Sequence, residues 1–132
     1  MDKLHLEVIQ PSKIRISSDF DHIIVPGIDG DFGIDINHTP FITKIRSGIL
    51  QLYQGNKIEK YAIHDGFVTV ENNMIKIICE VVEKTNEINV KRAASSKERA
   101  EKRLKSSADN IDFRRAEVSL KRALVRLELG SK

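Results

Sequence analysis

Residues 74–104 read MIKIICEVVEKTNEINVKRAASSKERAEKRL, and the spacing of the apolar side chains changes within this stretch. In its first part apolar residues occupy every second position, as at Ile75 and Ile77, which is the period of a half-buried β-strand. In its last part small apolar residues return at the spacing of a helix face, as at Ala93 and Ala100. The stretch therefore predicts the end of a β-domain and the beginning of a helical domain.

The charge of the chain changes at the same place. Residues 1–89 carry 9 Lys/Arg and 13 Asp/Glu, a net charge of −4, whereas residues 90–132 carry 13 and 6, a net charge of +7. A shift in both charge and period predicts a domain boundary. We place the two domains at residues 1–86 and 87–132, with the polar stretch 83–87 as linker. The basic second domain is expected to contact something acidic.

The first domain alternates apolar and polar residues in short runs separated by turn residues. Residues 22–25 form one such run, which ends at Pro26-Gly27, and residues 57–63 and 67–70 are predicted as two separate strands. Two-residue hairpin turns are predicted at Gly55-Asn56 and Asn72-Asn73, because these residues tolerate positive φ. Eight or more short strands in about 82 residues, without a helix between them, favour an antiparallel sandwich or barrel.

Two helices are predicted in the second domain, joined by a loop at Ser106–Asn110. The apolar face of the first helix consists mostly of alanines, so its packing buries little area at about 25 cal/mol per Å². Such a hairpin is marginal by itself, and we expect it to be a moving part. The apolar stripe of the second helix is formed by Phe113, Ala116, Leu120, Ala123, Leu124 and Leu127.

The composition argues against several other classes of protein. No run approaches the roughly 18 apolar residues of a membrane span, and Met1-Asp2-Lys3 leads directly into a strand pattern, without a signal or transit sequence. A single cysteine, Cys79, excludes an internal disulfide and is expected to be a buried apolar side chain. The four histidines are scattered without metal-ligand spacing, and no nucleophile has a base nearby, so an enzyme is not expected.

Arginines form one stripe on each predicted helix. Their spacing of i, i+7 and i+11 places the three members of a stripe within about 40° on one helix face. Arginine presents planar, charged donors that suit a carboxylate or a phosphate. A solvated charged face is the alternative interpretation. The stripes are Arg92, Arg99 and Arg103, and then Arg115, Arg122 and Arg126.

The glycine-rich segment after the third strand carries a family resemblance. It is similar to the pattern P-G-x-x-G-x-F-G-x-x-P-x-H-x-P of the bacterial F-type ATP synthase epsilon subunit, and it departs from that pattern at residues 35–37. The likeness extends over the whole chain, through Asp65-Gly66-Phe67 and the helical segments 97–104 and 115–127. The matching positions of the segment are Pro26, Gly27, Gly30, Phe32, Gly33, His38 and Pro40.

This resemblance implies an N-terminal antiparallel β-sandwich of about ten strands, followed by a C-terminal antiparallel two-helix hairpin. It implies a non-catalytic rotor subunit that binds the gamma subunit and the ring of c subunits, with Asp31, Phe32 and His38 as rotor contacts. It also implies that the hairpin can extend towards the catalytic alpha and beta subunits and inhibit ATP hydrolysis. The expected location is the cytoplasmic face of the bacterial inner membrane, held there through the complex.

Some members of the family bind ATP as a regulatory ligand through the motif I-D-x-x-R-A. Residues 88–93 resemble this motif, with Asn89 in place of Asp, and residues 111–116 match it a second time. Both segments are also typical helix starts, because Asn and Asp are preferred N-caps. A neutral amide accepts a hydrogen bond from adenine less well than a carboxylate, so weaker affinity is expected than with Asp. The resemblance assigns ATP to Glu83, Ile88, Asn89, Arg92, Ala93, Arg99, Arg122 and Arg126.

A basic nucleic-acid-binding module is the alternative function from another class. The sequence pI of about 9.0 and the cationic helices favour it. The helices also interleave acidic residues among the basic ones and contain almost no aromatic residues, which argues against it. We therefore expect no nucleic-acid partner.

Overall fold

The computed structural model describes residues 3–106 and 110–130. The chain divides into two compact units, one ending at Glu83 and the other beginning at Lys84. The first unit is a β-sandwich of eight strands among the described residues. The strands are β1 (Leu4–Gln10), β2 (Lys13–Phe20), β3 (His22–Gly27), β4 (Gly30–Ile34), β5 (Phe41–Ile45), β6 (Gly48–Gln54), β7 (Lys57–Glu71) and β8 (Met74–Lys84).

The predicted fold class is confirmed, but the count of about ten strands is too high. Lys57–Ile63 and Phe67–Val70, predicted as separate strands, belong to the single 15-residue strand β7. Its first half pairs with β6 and its second half pairs with β5. Asp65, between the two halves, has a φ of 52°. One continuous strand therefore pairs with β6 before this point and with β5 after it.

The strands are hydrogen-bonded in the order β2-β1-β8-β7-β5-β3-β4, and β6 joins β3 to β7. The pairs whose register is known are antiparallel except β1 with β8, which run parallel from His5 opposite Met74 to Ile9 opposite Ile78. This pair is the one parallel exception among the pairs whose register the structure gives, in a sandwich that is otherwise antiparallel as predicted. The first and last strands of the unit meet inside the sheet, where no two-residue hairpin connects them.

The core of the sandwich is built from the inward-facing residues of these strands. Alternation in the sequence appears directly as alternating burial, as in β1, where Leu4, Leu6 and Val8 are fully buried. Full burial of one such side chain is worth about 1.5–3 kcal/mol. The larger aliphatic members on the other strands include Ile23, Ile34, Leu50, Leu52, Ile63, Ile75 and Ile77.

The predicted hairpin at Asn72-Asn73 is confirmed. Asn72 and Asn73 have φ values of 51° and 60°, which a two-residue type I′ connection requires at both positions. At the other predicted hairpin, Gly55 has a φ of 59°, and its N–H donates to the carboxylate of Asp21 at 2.7 Å. Both turns occur where the sequence placed residues that tolerate positive φ.

The second unit contains a short 3₁₀ turn (Thr85–Glu87), helix α1 (Val90–Ser106) and helix α2 (Asn110–Gly130). The predicted linker is therefore regular structure, namely the end of β8 and the 3₁₀ turn. Of the predicted loop, Ser106 ends α1 and Asn110 begins α2, while residues 107–109 lie outside the described residues.

The two helices lie side by side, and α1 contributes little apolar surface to their contact. Its buried residues are Ala93 and Ala100, as the sequence indicated. On α2, Ala116 and Ala123 are buried as well. At the far end of α2, a methyl group on Gly130 would meet the side chain of Val90 at 3.0 Å, so this end lies close to the start of α1. The helices are thus antiparallel.

Candidate functional site

Helices α1 and α2 line a cavity of about 210 Å³, which we call the arginine cavity. On both helices the lining residues recur every three or four positions, so each set lies along one helix face. The lining consists of Ser96, Arg99, Ala100 and Arg103 from α1 and Ala116, Ser119, Arg122 and Arg126 from α2.

The lining of the arginine cavity combines small buried residues with long charged ones. Ala100 and Ala116 are buried, whereas Arg99 and Arg103 are exposed and Arg122 is half-buried. A methyl side chain lets two helices approach closely, and an arginine keeps its charged head hydrated while its stem covers apolar surface. The space between the helices therefore has a narrow apolar base and a cationic rim.

The charge of the cavity is strongly one-sided. Four of its eight lining residues are arginines and none is acidic. Arg99 donates through Nη2 to the hydroxyl of Ser96 at 3.1 Å, which holds this guanidinium at the wall. Like charges held around one space repel each other, and an anion among them removes that repulsion. The arrangement suits an anion with several oxygen acceptors, because each guanidinium can donate two parallel hydrogen bonds.

The structure brings together three of the residues that the sequence assigned to ATP, namely Arg99, Arg122 and Arg126. Arg92 lies on the same face of α1, one helical turn before Ser96, a rise of about 6 Å. Ala93 is buried in the first turn of α1. These arginines come together because helix period and antiparallel pairing place two members of each stripe on facing sides, and Arg115 does not line the cavity.

Asn89 is the N-cap of α1. Its Oδ1 accepts the backbone N–H of Arg92 at 3.0 Å, and its carbonyl oxygen accepts the N–H of Ala93 at 3.0 Å. Ile88 precedes this cap, and its side chain lies near Gly130 at the end of α2. The interpretation of the motif as a helix start is confirmed for this segment. Of the second match, 111–116, the side chains of residues 111 and 112 lie outside the described residues.

Glu83 lies at the end of β8, in the sandwich unit. Its Oε1 is 3.3 Å from Nε2 of His64, and Nδ1 of the same ring is 3.3 Å from the hydroxyl of Ser47. His64 is fully buried, whereas the Glu83 side chain is 22% exposed. The imidazole thus joins two polar groups inside the sandwich, and the Glu83 carboxylate is one of them.

A second cavity, of about 300 Å³, lies at the glycine-rich segment of the sandwich. We call it the loop pocket. It contains all three predicted rotor-contact residues, Asp31, Phe32 and His38. The other lining residues are Gly27, Asp29, Gly30, Phe41 and Thr43.

Aromatic rings and one ion pair shape the loop pocket. Phe32 and Phe41 stack edge to face with centroids 5.3 Å apart, and the His38 ring lies 6.3 Å from Phe41. Arg46 donates to the carboxylate of Asp31 at 2.7 Å and to the carbonyl oxygen of Gly27 at 2.9 Å. These bonds hold the end of β3 and the start of β4 together next to Phe32.

The sandwich also exposes large apolar side chains on β5 and β7. Phe41 is 45% exposed, Ile42 is 68% exposed and Phe67 is 50% exposed. Ile42 pairs with Thr69 and Lys44 pairs with Phe67, so Ile42 and Phe67 lie diagonally on one sheet face. An exposed apolar group of this kind is typical of a protein–protein contact.

Sequence reasoning missed several residues of both sites. Ser96 and Ser119 line the arginine cavity, and Phe41 and Arg46 shape the loop pocket. A signal existed for Ser96, which lies on the same helix face as Arg92 and Arg99. None existed for Arg46, because its partner Asp31 is 15 positions away in the sequence.

Neither a metal site nor a membrane helix is found in the described part of the chain. Residues 3–106 and 110–130 contain no group of three or more His, Cys, Asp or Glu side chains placed to hold a metal ion. None of their helices is long and apolar enough to cross a membrane.

The fold defines a class of two-domain proteins in which a β-sandwich precedes an α-helical hairpin. Residues 3–85 match the family model of the ATP synthase delta/epsilon chain β-sandwich domain. Residues 86–129 match the model of the long α-helix domain of the same chain. The chain therefore belongs to the ATP synthase delta/epsilon chain family, as its resemblance predicted.

Bacterial ATP synthase epsilon chains are similar to this chain over nearly its whole length. The ATP synthase epsilon chain of Desulforamulus reducens is 37% identical over 123 residues, 93% of each chain. That of Halalkalibacterium halodurans is 38% identical over the full length of both chains.

Two solved structures share the fold. A chain of the Euglena gracilis mitochondrial ATP synthase, in an OSCP/F1/c-ring assembly, matches with a TM-score of 0.88 and 21% identity, covering all of this chain and 83% of that one. A chain of the Tetrahymena thermophila mitochondrial ATP synthase central stalk and c-ring matches with a TM-score of 0.61 and 16% identity, covering 98% and 94%.

Proposed function

We propose that this chain is the non-catalytic rotor subunit of a proton-translocating F-type ATP synthase, and that its hairpin regulates ATP hydrolysis by binding ATP. The observation that carries the proposal is the arginine cavity, where four cationic side chains from two helices meet without an acidic residue in the lining. The chain would act at the cytoplasmic face of the bacterial inner membrane, held there by its partners.

The sandwich supplies the surface for the rotor in this proposal. The loop pocket, with its aromatic rings, suits an end-on contact with the ring of c subunits. The exposed face that carries Ile42 and Phe67 suits the gamma subunit, because such a surface is stabilised when a partner covers it. The assignment is supported by the membership of the family and by the exposed apolar residues.

The hairpin supplies the regulation. Its helices are joined mainly through alanines, so little apolar area holds them together. ATP between the two rows of arginines would stabilise the closed hairpin. Without ATP, the same arginines would be available to acidic loops of the catalytic alpha and beta subunits, where they resist hydrolysis. A ligand shifts such an equilibrium only by its differential affinity, and about 5.5 kcal/mol moves it from 1:99 to 99:1.

Binding of ATP is tested by titrating the full chain at fixed magnesium. We expect Arg122→Ala to weaken ATP binding by about 10- to 150-fold, because it removes charge-assisted hydrogen bonds worth about 1.5–3 kcal/mol. Arg114→Ala is the matched control, since it removes the same charge from an exposed position of the same helix outside the cavity lining. Equal losses in the two variants would show that only the net charge matters and would contradict the proposed site.

Assembly and inhibition are tested in the reconstituted complex. A chain that lacks residues 87–132 should still co-purify with tagged gamma subunit, while the ATPase activity of the complex at low ATP rises. Unchanged activity in the truncated complex would contradict inhibition by the hairpin. Loss of co-purification would contradict the assignment of the gamma contact to the sandwich.

Nucleic-acid binding remains excluded as a prediction only. Phosphate-dominated affinity for a nucleic acid falls steeply between 50 and 200 mM salt, by about 10³–10⁵ for six to ten phosphate contacts. A binding assay across this range with single- and double-stranded probes tests the alternative. Specific binding that persists at physiological salt would favour the nucleic-acid module.

A further inference from the structure

We propose that Asn73, in the turn between β7 and β8, is a positioning residue for the rotor contact, because its side chain holds the turn at residues 35–38 that places His38 in the loop pocket. This inference rests on the proposed rotor function and names a residue that acts on its contact surface from outside the pocket.

Residues 35–38 form a β-turn that its own residues specify only weakly. The N–H of His38 donates to the carbonyl oxygen of Asp35 at 3.1 Å, which closes the turn. Asn37 has a φ of 64°, whereas the φ of Ile36 is not positive, and this combination defines a type II turn. Such a turn favours proline at its second position and glycine at its third. Since Ile36 and Asn37 occupy these positions, contacts from other elements are expected to hold the turn.

Asn73 supplies such a contact from a rigid part of the sandwich. Its Oδ1 accepts the N–H of Asn37 at 2.6 Å, although 36 positions separate the two residues. The backbone of Asn73 is itself fixed, because it lies in the hairpin turn with a φ of 60° and its carbonyl oxygen accepts the N–H of His5 at 2.9 Å. Asn73 is half-buried, whereas its neighbour Asn72 is exposed.

A second contact holds the beginning of the same turn. The carboxylate of Asp35 lies 2.6 Å from Nδ1 of His22, whose ring packs edge to face on Tyr53 with centroids 5.2 Å apart. The Asp35 side chain is 78% exposed, and an ion pair with so exposed a carboxylate stabilises little in water. The position of the turn therefore depends more on Asn73.

The bond from Asn37 to Asn73 fixes the central peptide of the turn. Type I and type II turns differ in the orientation of this peptide, so the third residue has a negative φ in type I and a positive φ in type II. Positive φ is unfavourable for residues other than glycine, and Asn37 without a partner would relax towards the commoner type I. The oxygen of Asn73 meets the N–H of Asn37 in the observed orientation of this peptide.

His38 carries this orientation into the loop pocket. Its N–H closes the turn, and its Nδ1 donates to the carbonyl oxygen of Thr39 at 2.6 Å. The ring then lies 6.3 Å from that of Phe41 and lines the loop pocket. If the turn populates both forms, only a fraction of the molecules presents this wall, and the apparent affinity for the partner falls by that fraction.

Binding of the full chain to a purified complex of gamma subunit and c ring tests the inference. Asn73→Gly removes the acceptor but leaves an Asn-Gly pair, which is strongly favoured in a two-residue hairpin. We therefore expect an unchanged or higher unfolding temperature together with binding that is about three- to tenfold weaker. Asn73→Asp keeps an oxygen acceptor and should bind within about twofold of the native chain. Asn72→Gly is the matched control in the same turn and should bind as the native chain does.

Nuclear magnetic resonance of the free chain observes the turn without a partner. In Asn73→Gly the amide proton of Asn37 should exchange faster with solvent, and the ring signals of His38 should shift. Asn72→Gly should leave both unchanged.

Native affinity of Asn73→Gly, or equal losses in Asn73→Gly and Asn72→Gly, would overturn the inference while leaving the rotor contact in place. Weaker binding of Asn73→Gly with unchanged signals of Asn37 and His38 would show that Asn73 touches the partner directly, and would also overturn its positioning role. If the native chain does not bind the complex, the proposed rotor function fails and the inference fails with it.

Discussion

The side chain of Asn89 holds the first turn of α1 by accepting the N–H of Arg92 at 3.0 Å. This N–H is one of the four that no intrahelical carbonyl can satisfy. We expect Asn89→Ala to destabilise the helical unit by about 0.5–2 kcal/mol, while Asn89→Asp leaves its stability within a few tenths, since Asp caps as well as Asn. Urea denaturation followed by helical circular dichroism measures both. Equal losses for Ala and Asp would show that the cap contributes nothing.

Cys79 makes the stability of the sandwich depend on pH above neutrality. Burial raises the pKa of the Cys79 thiol from 9.0 to about 11, and the charge of Glu80 adds to the effect. The unfolded chain loses this proton from about pH 9, whereas the folded chain retains it until about pH 11. The unfolded state is therefore favoured as pH rises, and the free energy of unfolding falls by about 1.4 kcal/mol for each unit of pKa difference.

The pH effect is measured as the difference in unfolding free energy between the native chain and Cys79→Ala at pH 8 and at pH 10. Other groups titrate in both proteins and cancel in this difference. At pH 8 the variant should be the less stable one, because a buried side chain has been shortened. The difference in unfolding free energy between the two proteins should be smaller by about 1 kcal/mol at pH 10 than at pH 8. If this difference is the same at pH 8 and at pH 10, the thiol has the same pKa in the folded and in the unfolded chain.

At the scale of one element, β7 changes sheet partner at Gly66, where two strands come very close. A methyl group added to Gly66 would overlap the carbonyl oxygen of Ile78 and lie 2.9 Å from Cα of Cys79. Both are backbone atoms, which cannot turn away. We expect Gly66→Ala to reduce the stability of the sandwich by about 1–3 kcal/mol, the usual cost of overpacking.

Gly33→Ala is the control for this prediction. Its added methyl group would meet the ring of His22 at 2.9 Å, and a side chain can move where a backbone cannot. Gly33→Ala should therefore reduce the stability of the sandwich less than Gly66→Ala does. Thermal unfolding of both variants provides the comparison, and a larger loss for Gly33→Ala would mean that the close approach at Gly66 is relieved by a shift of β8.

The elements that could be predicted are those encoded by a local period. Alternation in β1 and the helix spacing of Ala93 and Ala100 identify their elements directly, because each repeat reflects one buried face. The break expected within β7 was wrong because His64-Asp65-Gly66 resembles a turn by composition, whereas its pairing with β5 and β6 is set by distant strands. The parallel pairing of β1 with β8 likewise has no local signal.

The same distinction applies to the arginine cavity. The stripe that contains Arg99 could be predicted from spacing alone. The position of this stripe opposite Arg122 and Arg126 depends on the register between the two helices. The same register places Ala116, and not Arg115, in the cavity lining. Register is fixed by which side chains interlock, and alanine faces give only a weak sequence signal for it. Three of the assigned arginines, Arg99, Arg122 and Arg126, line the cavity, and its serines were not predicted. The assignment of these residues to ATP stays a prediction.

At the scale of the whole molecule, the two units owe their stability to different contacts. A ligand that binds one unit is therefore expected to stabilise that unit. The sandwich has a large aliphatic core, whereas the helical unit buries mainly alanines where its helices meet. In hydrogen exchange of the free chain, amides of α1 and α2 should therefore exchange faster than those of β1, β6 and β8. A ligand that binds only the folded helical unit stabilises it by about 2.7 kcal/mol at one hundred times its dissociation constant.

Hydrogen exchange of the full chain with and without saturating ATP measures this linkage. Because the arginine cavity is lined only by residues of α1 and α2, protection should rise in these helices up to about 100-fold while the core strands of the sandwich stay unchanged. Arg122→Ala should abolish the rise, and Arg114→Ala should keep it. Equal protection of strands and helices would show that ATP binds outside the arginine cavity and that the two units unfold as one.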